Sequence, residues 1–242
     1  MALRVFVDFD GTITRQDVGN VFFRTFGGAA CDALVRRYHE GTLSAPALFR
    51  AEAAAMGRVD RRSLAALVDA QEIDPSFPAF AAFCRARGVP VRILSDGLDY
   101  YIGRILAREG CADVPFTANR AALVPAGRDG TVEVALEFPN ADAVCDRCAC
   151  CKRNAMLGEA GENDRIVYVG EGYSDRCPAR YADVVFARDH LQAYCQEENI
   201  SYYPYTTFDD VRSRLAAILD GPPLRARARA ERERRAAFRR ES

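Results

Sequence analysis

"VFVDFDGTIT", residues 5–14, drives an apolar run into two aspartates one residue apart, then a glycine and two threonines. Leu3 to Phe9 is short, continuous and rich in Val and Phe, which predicts a buried β-strand. Residues two apart on a strand share a face, so Asp8 and Asp10 can approach one site from the strand's carboxyl end. Gly11 allows a sharp turn and a close approach of backbone to a ligand. The simpler reading of the pair is a strand running out into a polar turn. The other is a catalytic carboxylate pair, and the rest of the chain bears on the choice.

Around this stretch the 242 residues have globular composition, 49% hydrophobic and 28% charged. That length suits one large domain or a core with an insertion. A net charge of −1 gives no electrostatic basis for binding nucleic acid or a membrane surface. Without a signal-like N-terminus or a long apolar span, a cytoplasmic protein is expected. From Asp17 to about Gln71 the spacing is helical with no convincing strand: "DVGNVFFRTF", "ACDALVRRYHE", "APALFRAEAAAMG" and "RRSLAALVDAQE". Strand and helix signals then alternate. "FPAFAAFCRARG" is helical, "VPVRILS" a strand and "LDYYIGRILAREG" a helix, before the β-rich runs "VPFTANRAALV" and "TVEVALEF". A helix near 154–159, the strands "RIVYVGEG" and "DVVFAR" and two closing helices follow. The expected fold is α/β, a parallel sheet flanked by helices with a small helical cap inserted after the first strand. Residues 1–14 and 75–222 would form the core, 15–74 the cap and 223–242 a charged, Arg-rich tail, read as solvated rather than as a contact for a partner.

Ligands of such sheets bind beyond the carboxyl ends of the strands, where the unusual residues collect. "ILSDG" offers Ser95 and Gly97, Lys152 opens a helix, and "YVGEGYSD" delivers Glu171 and Asp175. Each alone can be an N-cap, a turn or a solvated charge. Together they make a carboxylate nest with one hydroxyl and one cation, which suits a hard divalent ion and a phosphate.

"DFDGTIT", "ILSDG", Lys152 and "GEGYSD" resemble the four motifs of the haloacid-dehalogenase-like phosphatase superfamily. The helical insertion resembles its phosphoserine-phosphatase-like branch, with a Rossmann-like core. A narrower resemblance, to the phosphatases of 2-hydroxy-3-keto-5-methylthiopentenyl-1-phosphate, is carried by "SDGLDYYI", "CACCK", "FARDHLQAYCQEENI" and "YPYTTFDDVR". The resemblance implies a Mg²⁺-dependent phosphomonoesterase acting on a small phosphorylated metabolite, with Asp8 as nucleophile and Asp10 as proton carrier. It places Mg²⁺ on Asp8, Asp10 through its backbone carbonyl, and Glu171, with Asp175 in support. Ser95, Lys152 and the backbone around Gly11 and Gly97 would hold phosphate. Glu171 departs from the Asp usual there and is longer by a methylene. Phosphoserine, phosphocholine, a biosynthetic intermediate or transfer to another acceptor stand as alternative reactions. A degenerate, non-catalytic module is a further reading, supported only by Glu171.

Asp17 sits where the phosphoserine branch has an acidic residue facing its substrate's amine, and it is equally placed to cap the helix that follows. Asp99, Tyr100 and Asn119 are further candidates for the cleft. Cys145, Cys148, Cys150 and Cys151 crowd into seven residues, open to a structural Zn²⁺, a local disulfide or packed free thiols. His39 and His190 have no partner spacing and read as surface residues.

Overall fold

The computed structural model describes residues 2–238. At its centre is β1 (Leu3–Val7), whose Val5 and Val7 face one apolar cluster while Phe6 faces a second on the opposite side. Val167 and Val169 of β6 (Arg165–Gly170) join the first cluster, Ile166 and Tyr168 the second. A strand buried on both faces has no polar alternation to show, which is why these runs read as continuously hydrophobic. β1 pairs in parallel with β6 on one side and with β3 (Val91–Leu98) on the other. Beyond β6 lie β7 (Val184–Ala187) and the short β8 (Tyr203–Pro204), both parallel.

On the other flank β3 pairs in parallel with β4 (Phe116–Pro125), which turns back antiparallel into β5 (Thr131–Glu137). The outermost strand is β2 (Val59–Asp60), a two-residue piece from within the helical insertion, where no strand was expected. The eight strands run β2-β5-β4-β3-β1-β6-β7-β8. Chain direction switches sides at β1, so the crevice beyond its carboxyl end is where such a sheet receives ligands.

The insertion carries α1 (Val18–Gly27), α2 (Ala29–His39), α3 (Ala45–Met56) and α4 (Arg61–Asp69). Asp17 caps α1 by accepting from the Asn20 N–H, and Ser44 caps α3 with Pro46 in its first turn. Around the core lie α5 (Phe77–Ala86), α6 (Asp99–Arg108), α7 (Lys152–Glu159), α8 (Arg176–Tyr181), α9 (Asp189–Glu197) and α10 (Phe208–Asp220). Phe208 of α10 meets Phe77 and Phe80 of α5 at ring distances of 5.0 and 5.2 Å, fastening one helical layer.

In its described part the C-terminal stretch differs from the solvated tail expected over 223–242, of which 239–242 lie outside the described residues. Residues Ala228–Phe238 form α11, which docks on α8. Arg234 is only 1% exposed and donates to Asp183 and to the Tyr181 carbonyl. Arg227 donates to the carbonyls of Ala179 and Arg180. Guanidinium forks satisfying open helix-end carbonyls replace the apolar stripe that the sequence lacks.

Candidate active site

Asp8 is set at the end of β1 by its N–H, which donates to the Val169 carbonyl of β6. Its side chain is 4% exposed. Oδ1 accepts from the Phe9 N–H at 2.7 Å and from Lys152 Nζ at 2.5 Å. Oδ2 has only a 3.5 Å contact from Thr12 and is the freer oxygen. Lys152, the first residue of α7, is 1% exposed and gives a second bond of 2.7 Å to Asp175. Burial pushes Lys152 toward losing its proton, but Asp175 and Asp8 outweigh that and hold it charged. Burial and the nearby Asp175 raise Asp8 above the ordinary carboxylate range, against the pull of Lys152.

Asp10 has different partners. Oδ2 accepts from Ser95 at 2.9 Å and Tyr101 at 3.1 Å, and Oδ1 from the Gly19 N–H at 3.3 Å. Burial, with repulsion from Asp17, lifts its carboxyl to about 7 in spite of these bonds. Gly97 makes the arrangement possible, since a Cβ there would collide with the Tyr101 hydroxyl and the Asp10 carboxylate.

Asp175 is fully buried and all its acceptor capacity is in use. Oδ1 takes Lys152 and Tyr168, and Oδ2 takes the N–H groups of Glu171 and Gly172 at 2.9 and 2.8 Å. It holds the loop that carries Glu171. The Glu171 carboxylate reaches back to Gly11, whose positive φ of 72° brings its backbone so near that a Cβ would lie 2.9 Å from Oε1. Arg188 clamps the same turn by donating to the carbonyls of Gly11 and Thr12. Burial and Asp175 raise Glu171 to about 7.

Asp8, Asp10, Asp17, Gly97, Lys152 and Glu171 line one cleft of about 360 Å³ between the sheet end and the helical insertion. Ser95 lies buried behind Asp10, and Asp175 behind Lys152. Phe9, Gly11 and Gly97, expected as backbone donors to phosphate, spend their N–H groups on Asp8, on Thr14 with Gln16, and on Ser95. Asp99, Tyr100 and Asn119 do not line the cleft. Asp99 accepts from the Ala121 N–H, and Asn119 donates to the Asp96 carbonyl, which ties β3 to β4. Asp96 does face the cleft and accepts from the N–H groups of Ala149 and Cys150.

Those two bonds shape the cysteine segment, whose thiols are free, one of the three readings the sequence left open. All nine cysteines are free, with Cys150 and Cys151 buried while Cys145 is exposed. Among the described residues these cysteines are not gathered into a zinc-binding group. Carboxylates organise the loop instead: Asp142 caps the N–H groups of Val144 and Cys145, and Asp96 those of Ala149 and Cys150. For Mg²⁺ the donors do fit. A hard ion taking one or two carboxylates, a carbonyl and waters finds the open Asp8 Oδ2 and Glu171 leaning on the turn after Asp10.

Sequence reasoning passed over Tyr101 and Tyr168, the hydroxyl donors to Asp10 and Asp175. Tyr101 falls in "SDGLDYYI", four residues after the Ser95 motif's glycine and on the next helix, so only the strand-to-helix turn brings it back. The histidines are exposed, as expected, and sequence spacing gave no sign of where they lie. His39 and His190 stand on the cleft, their rings 5.9 and 4.7 Å from Tyr173.

The model of the haloacid dehalogenase-like hydrolases matches residues 5–180. Among curated proteins, the 2-hydroxy-3-keto-5-methylthiopentenyl-1-phosphate phosphatase of Exiguobacterium sibiricum is 30% identical over 223 residues, 89% of this chain and 97% of that protein. The protein of the same name from Lysinibacillus sphaericus is 29% identical over 222 residues, covering 85% of this chain and 90% of its own. Among solved structures, a substrate-bound phosphoserine phosphatase complex superimposes with a TM-score of 0.63 at 15% identity, over 88% of this chain and 98% of that one. A hydrolase from Salmonella enterica serovar Typhi gives 0.64 at 20% identity, over 86% of this chain and 68% of the other. The chain therefore belongs to the haloacid dehalogenase-like hydrolase family, with the fold of its phosphoserine-phosphatase-like members. Within that family it is a phosphatase, a hydrolase of phosphoric monoesters.

Proposed function

We propose that the protein is a Mg²⁺-dependent phosphomonoesterase that works through an aspartyl-phosphate on Asp8. The observation that carries this is the inequality of the two aspartates. Asp8 is charge-paired through one oxygen and open at the other, whereas burial and Asp17 lift Asp10 to about 7 in spite of its three donors. In the first step the Asp8 carboxylate attacks phosphorus and the ester P–O bond breaks. The leaving alkoxide takes the proton from Asp10. In the second step Asp10 takes a proton from water, which attacks phosphorus, and Asp8 departs with its electron pair as phosphate is released. Tyr101 and Ser95 keep Asp10 oriented through both steps. Lys152 offsets charge on the phosphoryl oxygens while Asp175 fixes its direction. Mg²⁺, held by Asp8, the Asp10 carbonyl and Glu171, would relieve repulsion between Asp8 and the phosphate dianion.

We assign residues 1–14 and 75–222 to the core and 15–74 to a cap over the cleft, with the arginine-rich segment from 223 as an appendage that α11 anchors to the core. Among the described residues no helix is long and apolar enough to cross a membrane, and we place the enzyme in the cytoplasm. The names of the curated relatives make 2-hydroxy-3-keto-5-methylthiopentenyl-1-phosphate the first substrate to assay, followed by phosphoserine and phosphocholine. Phosphate release with Mg²⁺ and each ester, with small alcohols added to reveal transfer, tests the reaction. Acid-quenched wild-type enzyme should carry phosphate that Asp8→Asn lacks. Full turnover by Asp8→Asn would overturn the proposal.

A further inference from the structure

Glu52 sits in the middle of α3 and lines the insertion side of the cleft, yet neither the proposed chemistry nor the fold uses its side chain. It is 5% exposed and, among the described residues, makes no side-chain hydrogen bond and no ion pair. The other buried residues of α3 are Ala45, Leu48, Ala53 and Met56, so packing alone would favour an apolar residue here. A carboxyl withdrawn from water without a partner does not stay ionised; it keeps its proton instead.

Among the described residues, no side chain around Glu52 offers it a free countercharge. α3 packs against α1, α2 and β5. At the head of α1 stands Asp17, a second carboxylate, and Arg24 of that helix is engaged with Asp32. α2 brings Cys31, whose thiol donates to the Phe23 carbonyl, while its Arg36 and Arg37 are exposed. Glu133 and Glu137 of β5 are exposed and paired with Arg58 and Arg120, and Arg50 of α3 lies over the Phe138 ring. Across the cleft Lys152 is shared by Asp8 and Asp175, and His39 and His190 lie against Tyr173. Burial, with Asp17 beside it, accordingly pushes the Glu52 carboxyl up to about 8. Phe23, Val35, Leu48 and Phe49 line the cleft on the same side, so this carboxyl is a polar point on an apolar wall.

We propose that Glu52 is a specificity-determining residue whose carboxyl donates a hydrogen bond to an uncharged oxygen, a hydroxyl or a carbonyl, on the alcohol portion of the phosphomonoester. The assignment rests on the phosphatase reading and adds to it the side chain that reads the leaving group. A carboxylic acid kept neutral by an apolar site donates through its O–H and accepts through its C=O, which suits a hydroxyl in both directions. In that form it is no partner for a charge. A carboxylate or second phosphate on the alcohol would face Asp17 and find no free cation on this wall. A wholly hydrocarbon alcohol would leave the buried carboxyl without a partner. Seating one oxygen satisfies a group that the fold leaves unmet, so discrimination comes from the penalty on esters that lack it.

The test sets ω-hydroxyalkyl phosphates of increasing chain length against the alkyl phosphates in which a methyl group replaces the hydroxyl. Wild-type enzyme should favour the hydroxyl ester of at least one length by about 10-fold or more in kcat/KM. Glutamine keeps a donor and an acceptor, so Glu52→Gln should retain most of that ratio. Glu52→Met and Glu52→Leu should bring it to about 1 or below. Because each ratio is taken within one protein, a general loss of folded enzyme cancels. A ratio that survives in Glu52→Met or Glu52→Leu overturns the assignment. A ratio lost in Glu52→Gln as fully as in the apolar variants also overturns it, in favour of an ionised carboxylate. If p-nitrophenyl phosphate is hydrolysed and no pair shows a preference, the role of Glu52 alone fails. If no ester is hydrolysed, the phosphatase reading fails and the assignment falls with it.

Discussion

Replacing Lys152 with methionine keeps the stem of the side chain and removes one charge that serves two buried carboxylates. The ammonium lies 2.5 Å from Asp8 and 2.7 Å from Asp175, and the three residues are 1%, 4% and 0% exposed. Removing one partner of a buried ion pair costs about 3–5 kcal/mol. The variant has one escape, which is to put a proton on Asp8 or Asp175. Relative to an unfolded carboxyl titrating near ~3.9, holding that proton costs ~1.4 kcal/mol for each pH unit above it. Protonation therefore caps the loss at roughly 2 kcal/mol at pH 5.5, but offers no relief at pH 8, where it would cost about 5.6 kcal/mol. A carboxyl with a raised pKa in the folded state binds a proton that the unfolded chain has released. Its stabilisation is full below the unfolded value and drains away as pH rises. The deficit of Lys152→Met against wild type should thus grow from pH 5.5 to pH 8. At the upper pH it should reach about 3–5 kcal/mol, or about 6–20 °C in Tm for a chain of this size. Thermal and urea melts of both proteins in EDTA at the two pH values measure it. A deficit under about 1 kcal/mol at pH 8, or one equal at both pH values, would refute the shared-cation account.

At Glu171, truncation to alanine should abolish Mg²⁺-dependent phosphate release, while Glu171→Asp retains it. EDTA treatment followed by Mg²⁺ titration checks this, and full activity in the alanine variant would remove Glu171 from the metal site. Arg234→Met breaks the buried pair with Asp183, which also accepts the N–H groups of Ile166 and Arg227. It should destabilise by about 3–5 kcal/mol in denaturant melts. Because α11 docks on α8 and neither helix supplies a residue lining the cleft, kcat on surviving folded enzyme should stay within about two-fold, and a larger fall would tie α11 to the active site.

The motifs at the strand ends were readable because each joins a strand period to residues that strands avoid. Asp8, Asp10, Lys152 and Glu171 do converge on one cleft. Other features depend on contacts that no local pattern carries. The strand was read as "VPVRILS", yet β3 runs on to Leu98, with a shift in its pairing to β4 and Asn119 donating to the Asp96 carbonyl. α11 has arginines where an amphipathic helix has leucines, so hydrophobic periodicity missed a helix that docks through ion pairs and carbonyls. Glu52 was invisible for the opposite reason. A glutamate is an ordinary helix former on a solvated face, and only tertiary packing reveals that this one is buried at the cleft with no side-chain hydrogen bond among the described residues.

The pairing of β2 with β5 has a mechanical consequence. Beyond Asn119, β4 leaves β3 and pairs only with β5, and β5 in turn binds β2 and packs against α3. Helices and hairpin are thereby welded into one lever, which joins the rest of the sheet through the single strand β4. Opening the cleft by lifting α3 must carry β5 along and bend β4 near Asn119–Arg120. Were the insertion to lift as substrate enters, the stiffness of this β-ribbon would resist it as well as the loops that flank the insertion.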